Sequence, residues 1–271
     1  MRIFLINVKL IVNKYMNRKI IIANWKMQLG LPESIALAKS LKKITSKKAN
    51  VVLCPSFISL TEVAKVIKKS DIMLGGQDCF WEAKGAYTGE ISASYLKEVG
   101  CQFVIIGHSE RRKNLGETDE MVNKKIKLAL DVGLVPIVCV GENFEQRQQG
   151  SKEYVLIQQA TKAFEGVTVS ADQQVIIAYE PVWAISTSRT GQFIEPPEAE
   201  FSHQVVRQSL FDIFSSTIIK NNFSIIYGGS VDGNNVNQFI HLDHTAGALV
   251  GGASLTADNF KAMVANIQTK Y

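Results

Sequence analysis

Short apolar, mostly β-branched runs recur along the chain: Ile20–Ala23, Val51–Leu53, Ile72–Leu74, Phe103–Ile106, Pro136–Val140, Val175–Ala178, Ser224–Ile226 and Ala248–Val250. Runs that are apolar throughout, rather than alternating, suit parallel strands covered on both faces. The stretches between them have helical character. In Glu33–Lys48 the residues Ile35, Leu37, Ala38, Leu41 and Ile44 approximate one helical face, and Pro32 and Glu33 suit its first turn. Eight such runs in 271 residues give about 34 residues per unit, close to the roughly 30 that a strand–helix module needs. The expected fold is therefore α/β, a single closed (β/α)8 barrel. An open doubly wound sheet fits the same pattern, but it usually has a glycine-rich first turn, and here the first run leads into Asn24-Trp25-Lys26-Met27.

A hydrophobic content of 46% is enough for a full core, and no Gly/Ser/Pro-rich linker or low-complexity segment divides the chain. We read residues 18–271 as one barrel domain and residues 1–17 as an N-terminal extension, with Met16 as an alternative start. The extension is neither a signal peptide nor a membrane span, because Lys9 interrupts its apolar stretch. Three of the five net positive charges come from Arg2, Lys9 and Lys14, so the rest of the chain is nearly balanced and offers no footprint for nucleic acid. Cys54, Cys79, Cys101 and Cys139 are far apart and form no CxxC pair, as expected for a reduced, cytoplasmic protein.

In a closed barrel, polar residues at the carboxyl ends of the strands face the site, whereas the other end serves stability. Four runs end in chemically capable groups. Asn24-Trp25-Lys26 follows the first, Gly107-His108-Ser109-Glu110-Arg111-Arg112 the fourth, Tyr179-Glu180-Pro181 the sixth and Tyr227-Gly228-Gly229-Ser230 the seventh, while Gly251-Gly252 follows the eighth. The segments NWKM, GHSERR, YEPVWAI, YGGSV and ALVGGASL occur in the order and spacing of the triosephosphate isomerase family. The chain resembles that family over roughly residues 18–271, including WEAKGAYTGEISASYLKEVGC, which looks like its third-loop region.

The resemblance implies a TIM barrel that interconverts two triose phosphates in glycolysis and gluconeogenesis, without metal or cofactor. Moving a proton between carbons beside a carbonyl requires a base, an electrophile for the oxygen and stabilisation of the enediolate. Glu180 is the expected base and His108 the electrophile, with a helix starting just after it to keep the imidazole neutral. Lys26 would hold the substrate and its developing charge, and Asn24 would donate a hydrogen bond to a substrate oxygen. Ser109, Glu110 and Tyr227 would support the cluster. By resemblance, the backbone amides of Ser186, Ser230, Gly251 and Gly252 would grip the phosphate.

Pro181–Gly191 resembles the family's lid, which closes over substrate. Its usual centre, Gly-Thr-Gly-Lys, is here Ser186-Thr187-Ser188-Arg189, from which we expect altered lid kinetics on an intact chemistry. The loop around Gln77–Glu90, with Trp81, Tyr87 and Thr88, resembles the family's homodimer contact, in which Thr88 would approach Lys26 of the partner subunit.

Other readings have less behind them. His241, Asp243 and His244 precede the eighth run, at the expected non-catalytic end of a barrel, and are not read as a metal site. Cys139 has no local base or cation to make it a nucleophile. A Schiff-base aldolase using Lys26 would need a desolvated, neutral amine. A phosphate-binding protein without activity would not need Glu180.

Overall fold

The computed structural model describes residues 18–44, 46–185 and 192–267. Eight parallel strands follow one another around a closed barrel: β1 (Lys19–Asn24), β2 (Ala49–Cys54), β3 (Met73–Gly76), β4 (Phe103–Ile106), β5 (Val135–Val140), β6 (Val175–Tyr179), β7 (Phe223–Tyr227) and β8 (Thr245–Val250). The first strand pairs with both the second and the last. Ile21 is opposite Val51 on one side and Ala248 on the other.

Eleven α-helices among the described residues cover the sheet or edge its mouth: α1 (Leu31–Leu41), α2 (Phe57–Ile67), α3 (Ala93–Val99), α4 (Ser109–Leu115), α5 (Asp119–Asp131), α6 (Phe144–Gln148), α7 (Lys152–Phe164), α8 (Pro196–Ser209), α9 (Ser216–Asn222), α10 (Val236–Ile240) and α11 (Ala257–Asn266). None of the described helices is long and apolar enough to cross a membrane.

The continuous apolar runs have a direct cause. Side chains alternate across a strand, and in this barrel both directions lead into packed core. Ile22, Val52, Cys54, Met73, Ile105, Ile137 and Leu249 fill the interior, whereas Ile21, Ala23, Val51, Val104, Ile177 and Val250 pack outward with the helices.

Most strands extend a residue or more beyond their apolar runs, and two elements, α1 and β3, differ in ways that have a physical reason. Helix α1 starts two residues before Glu33, with Glu33 Oε2 accepting the Gly30 amide at 2.8 Å, but it ends at Leu41 rather than Lys48. Ile44 keeps its place beside the core in a tight turn, its amide donating to Leu41 O at 2.7 Å. The Ser46 hydroxyl then accepts from the amides of Lys48 and Ala49 at 3.1 and 3.0 Å, which releases the chain from helix into β2. The third strand runs two residues beyond Leu74, through Gly75 and Gly76, which pair with Phe103 and Val104. Glycine adds no apolar side chain to a run, so this end of the strand is not visible in the pattern.

Candidate active site

Asn24, the last residue of β1, Lys26 just beyond it, His108 after β4, Glu180 after β6, Ser230 after β7 and Gly251 and Gly252 after β8 line one pocket at the carboxyl ends of the strands. Ser186 and the rest of the expected lid centre lie outside the described residues. His241, Asp243 and His244 lie at the opposite end, before the start of β8.

Glu180 is fixed by its neighbours on both sides. Its amide donates to Val140 O at 2.8 Å, continuing the ladder between β5 and β6 past the last residue of β6. A Cβ on Gly141 would fall 1.7 Å from Glu180 O, and one on Gly228 would fall 2.9 Å from Glu180 Cγ. Only glycine at these positions lets the flanking strands close on the glutamate. The carboxylate is buried; Oε2 accepts the Ser109 amide at 2.9 Å, and Oε1 lies 3.1 Å from His108 Nε2.

His108 is the N-cap of α4. Its Nδ1 accepts the Glu110 amide at 3.2 Å, which leaves that nitrogen without a proton and puts the ring's single N–H on Nε2, facing Glu180. The helix thus delivers a neutral imidazole with its donor aimed into the pocket.

Lys26 adopts φ 50°, a backbone conformation that non-glycine residues rarely hold. Three bonds maintain it: its amide donates to Asn24 Oδ1 at 3.0 Å, its carbonyl accepts from Gln77 Nε2 at 2.8 Å, and its Nζ donates to Glu110 Oε1 at 2.6 Å. Paired with a carboxylate, Nζ is placed to stabilise charge on a bound oxygen rather than to attack a carbonyl carbon.

Of the supporting residues, Ser109 and Glu110 touch the central groups directly. Tyr227 does not line the pocket; its ring points outward and stacks on Phe239 at 4.1 Å. Cys139 is enclosed in the barrel interior, where burial and then the Glu180 charge push its thiol well above the usual range, so it is no nucleophile.

Two networks escaped the sequence reading. Beneath the segment leading to residue 186, Glu142 Oε1 accepts from Trp183 Nε1 at 2.6 Å and from Tyr179 Oη at 3.2 Å, while the Arg147 guanidinium lies 3.9 Å above the Trp183 ring. Burial raises the Glu142 carboxyl above its ordinary range. Behind α4, Asp78, Arg111, Glu117 and Lys125 form a buried ion cluster in which Lys125 Nζ is 2.8 Å from Asp78 and 3.2 Å from Glu117. Glu117 also accepts the Gly107 amide at 3.1 Å and so holds the turn that delivers His108. Lys125 falls on the buried stripe of α5 with Val122, Ile126 and Ala129, and a cation at that spacing was the readable signal of a buried partner.

The triosephosphate isomerase family model matches residues 19–267. The triosephosphate isomerase of Thermoanaerobacter sp. (strain X514) is 47% identical over 250 residues, 92% of this chain and 99% of that protein. That of Dehalococcoides mccartyi (strain CBDB1) is 44% identical over 260 residues, 94% of this chain and all of that protein, and that of Dictyoglomus thermophilum is 42% identical over 247 residues, 90% and 98% respectively. With the motif-bearing strand ends gathered in one pocket and a match over nearly its whole length, the chain belongs to the triosephosphate isomerase family.

Proposed function

We propose that Glu180, His108, Lys26 and Asn24 carry out the reaction of this family, the interconversion of dihydroxyacetone phosphate and D-glyceraldehyde 3-phosphate through an enediolate. The observation that carries the reading is the pair itself: a buried carboxylate 3.1 Å from the Nε2–H of a neutral imidazole, in one pocket with the Lys26 ammonium. Substrate entering the pocket gives His108 and Lys26 a carbonyl oxygen to donate to and frees Glu180 to reach carbon. The carboxylate takes the carbon-bound proton, and the N–H and ammonium stabilise the charge that moves onto oxygen; His108 gives its Nε2 proton to that oxygen and takes one from the neighbouring hydroxyl, and the carboxylate returns its proton to the adjacent carbon as the new carbonyl forms. Asn24 donates to the substrate oxygen. The amides of Ser230, Gly251 and Gly252, with that of Ser186, hold the phosphate; Lys26 Cε lies 3.3 Å from where a Gly251 Cβ would be, so cation and glycines face the same ligand.

Replacing Glu180 by Asp withdraws the carboxylate by about one methylene. Because about 1 Å of misplacement costs on the order of a hundredfold, a coupled assay is expected to show kcat falling by about that factor with KM little changed. Equal turnover in Glu180→Asp would end this assignment.

The functional unit we propose is a homodimer of single-domain barrels spanning residues 18–271, with residues 1–17 as an extension. Its contact is the Gln77–Glu90 loop. Met27, Ile58, Tyr87 and Leu115 support this: all are exposed, and all follow one of the consecutive strands β1 to β4 on the site side of the barrel. The cytoplasm is the proposed compartment, since all four cysteines are free and buried.

A further inference from the structure

The backbone of Glu180 rests directly on Gly141, where a Cβ would fall 1.7 Å from the Glu180 carbonyl oxygen. Whatever holds the Gly141 peptide therefore also holds the glutamate. Backbone polar groups of successive residues alternate between the two sides of a strand. At the end of β5, Val140 O accepts the Glu180 amide at 2.8 Å and Glu142 O accepts the Val182 amide at 3.1 Å, so these two residues face β6. Gly141, between them, faces β4. On that side Ile106 is opposite Val138, and three residues further on the partner of Gly141 would be Ser109, which already begins α4. The turn that delivers His108 thus takes away the strand that Gly141 would pair with.

Gln159 supplies the missing partner. Its Oε1 accepts the Gly141 amide at 2.8 Å and its Nε2 donates to Gly141 O at 3.3 Å, one bond to each of the groups that a neighbouring strand would satisfy. The residue lies on α7 among the buried Val155, Leu156, Ala160 and Ala163, on the face that packs inward, where a polar side chain needs a polar partner. It does not line the substrate pocket.

We infer that Gln159 is a positioning residue for proton transfer, pinning the Gly141 peptide and through it setting where the Glu180 carboxylate stands; the inference rests on Glu180 being the base. Loss of Gln159 then acts on the chemical step and leaves binding alone.

Gln159→Met removes both bonds with little change of shape. The coupled assay is expected to show kcat about tenfold lower, since a fraction of an ångström of misplacement suffices, with KM and competitive inhibition by inorganic phosphate unchanged. A role in stability alone would lower the melting temperature and leave kcat per folded molecule at the wild-type value, and that result overturns the inference. Gln159→Glu, which keeps the acceptor for the Gly141 amide, makes the same comparison if the methionine variant does not fold. In the Glu180→Asp background the carboxylate is already withdrawn, so the loss caused by Gln159→Met is expected to shrink by roughly threefold or more. An equal loss in both backgrounds overturns the route through Glu180, while the base assignment is decided separately by Glu180→Asp alone.

Discussion

His203 on α8 is enclosed between the rings of Tyr179 and Tyr227, its Nδ1 2.8 Å from Thr245 Oγ1 and its Nε2 unpartnered among the described residues. Burial pushes the imidazole down from 6.5 to about 3. Between those values the unfolded chain binds a proton that the folded protein refuses, so stability is lost as the pH falls from about 6.5 toward 3, with a slope near 1.4 kcal/mol per pH unit. Denaturant titrations across this range are expected to show that slope in the wild type and its loss in His203→Gln; parallel curves would acquit the histidine. Residues differ in how much of their role is legible in sequence. Glu180 and His108 were readable because each ends an apolar run inside a distinctive segment. Glu142 was not, and Lys125 on its buried stripe signals a partner without naming it, because the partners Trp183 and Asp78 lie 41 and 47 residues away along the chain and are brought close only by barrel closure.

Helix α4 shows how one short element can serve both fold and chemistry. His108 caps it through Nδ1 while Nε2 serves the pocket, and the two duties can be separated. Asparagine retains a capping acceptor but no imidazole, so His108→Asn is expected to hold stability within about 0.5 kcal/mol while losing turnover, whereas His108→Ala loses both, with about 1 kcal/mol of stability. Thermal melts beside the assay decide it; an Asn variant as unstable as the Ala one would remove the capping role. Strands were the most legible elements, since burial on both faces writes an uninterrupted apolar run. Helix ends were less so: α1 stops at Leu41 although Ile44 continues its stripe, because Ser46 competes for the backbone and the pattern records packing rather than hydrogen bonds.

At the scale of the whole molecule, the count of eight runs was enough to read a barrel, but its register was not legible. The shift between Ile225 and Tyr227, where β7 meets β8, leaves no mark in apolar spacing. The proposed association of two barrels was readable only through resemblance, and exposure now sharpens it. Leu115 is 66% exposed, so a charge there costs the folded monomer little while it disrupts an apolar contact. Leu115→Asp is expected to weaken the dimer about tenfold or more, roughly 1.4 kcal/mol, by sedimentation equilibrium; an unshifted equilibrium would move the contact elsewhere. Closure of the barrel also dictates an order of events at synthesis. Of the eight strands, β1 is made first, and Ile20–Ala23 must wait for Gly247–Val250, the partners on their open side, until the last strand has been made. Throughout translation the nascent protein therefore carries an unpaired strand edge open to other chains. The final docking of β8 is a long-range step that ends the exposure all at once, and chaperone demand should fall at that moment rather than gradually along the chain.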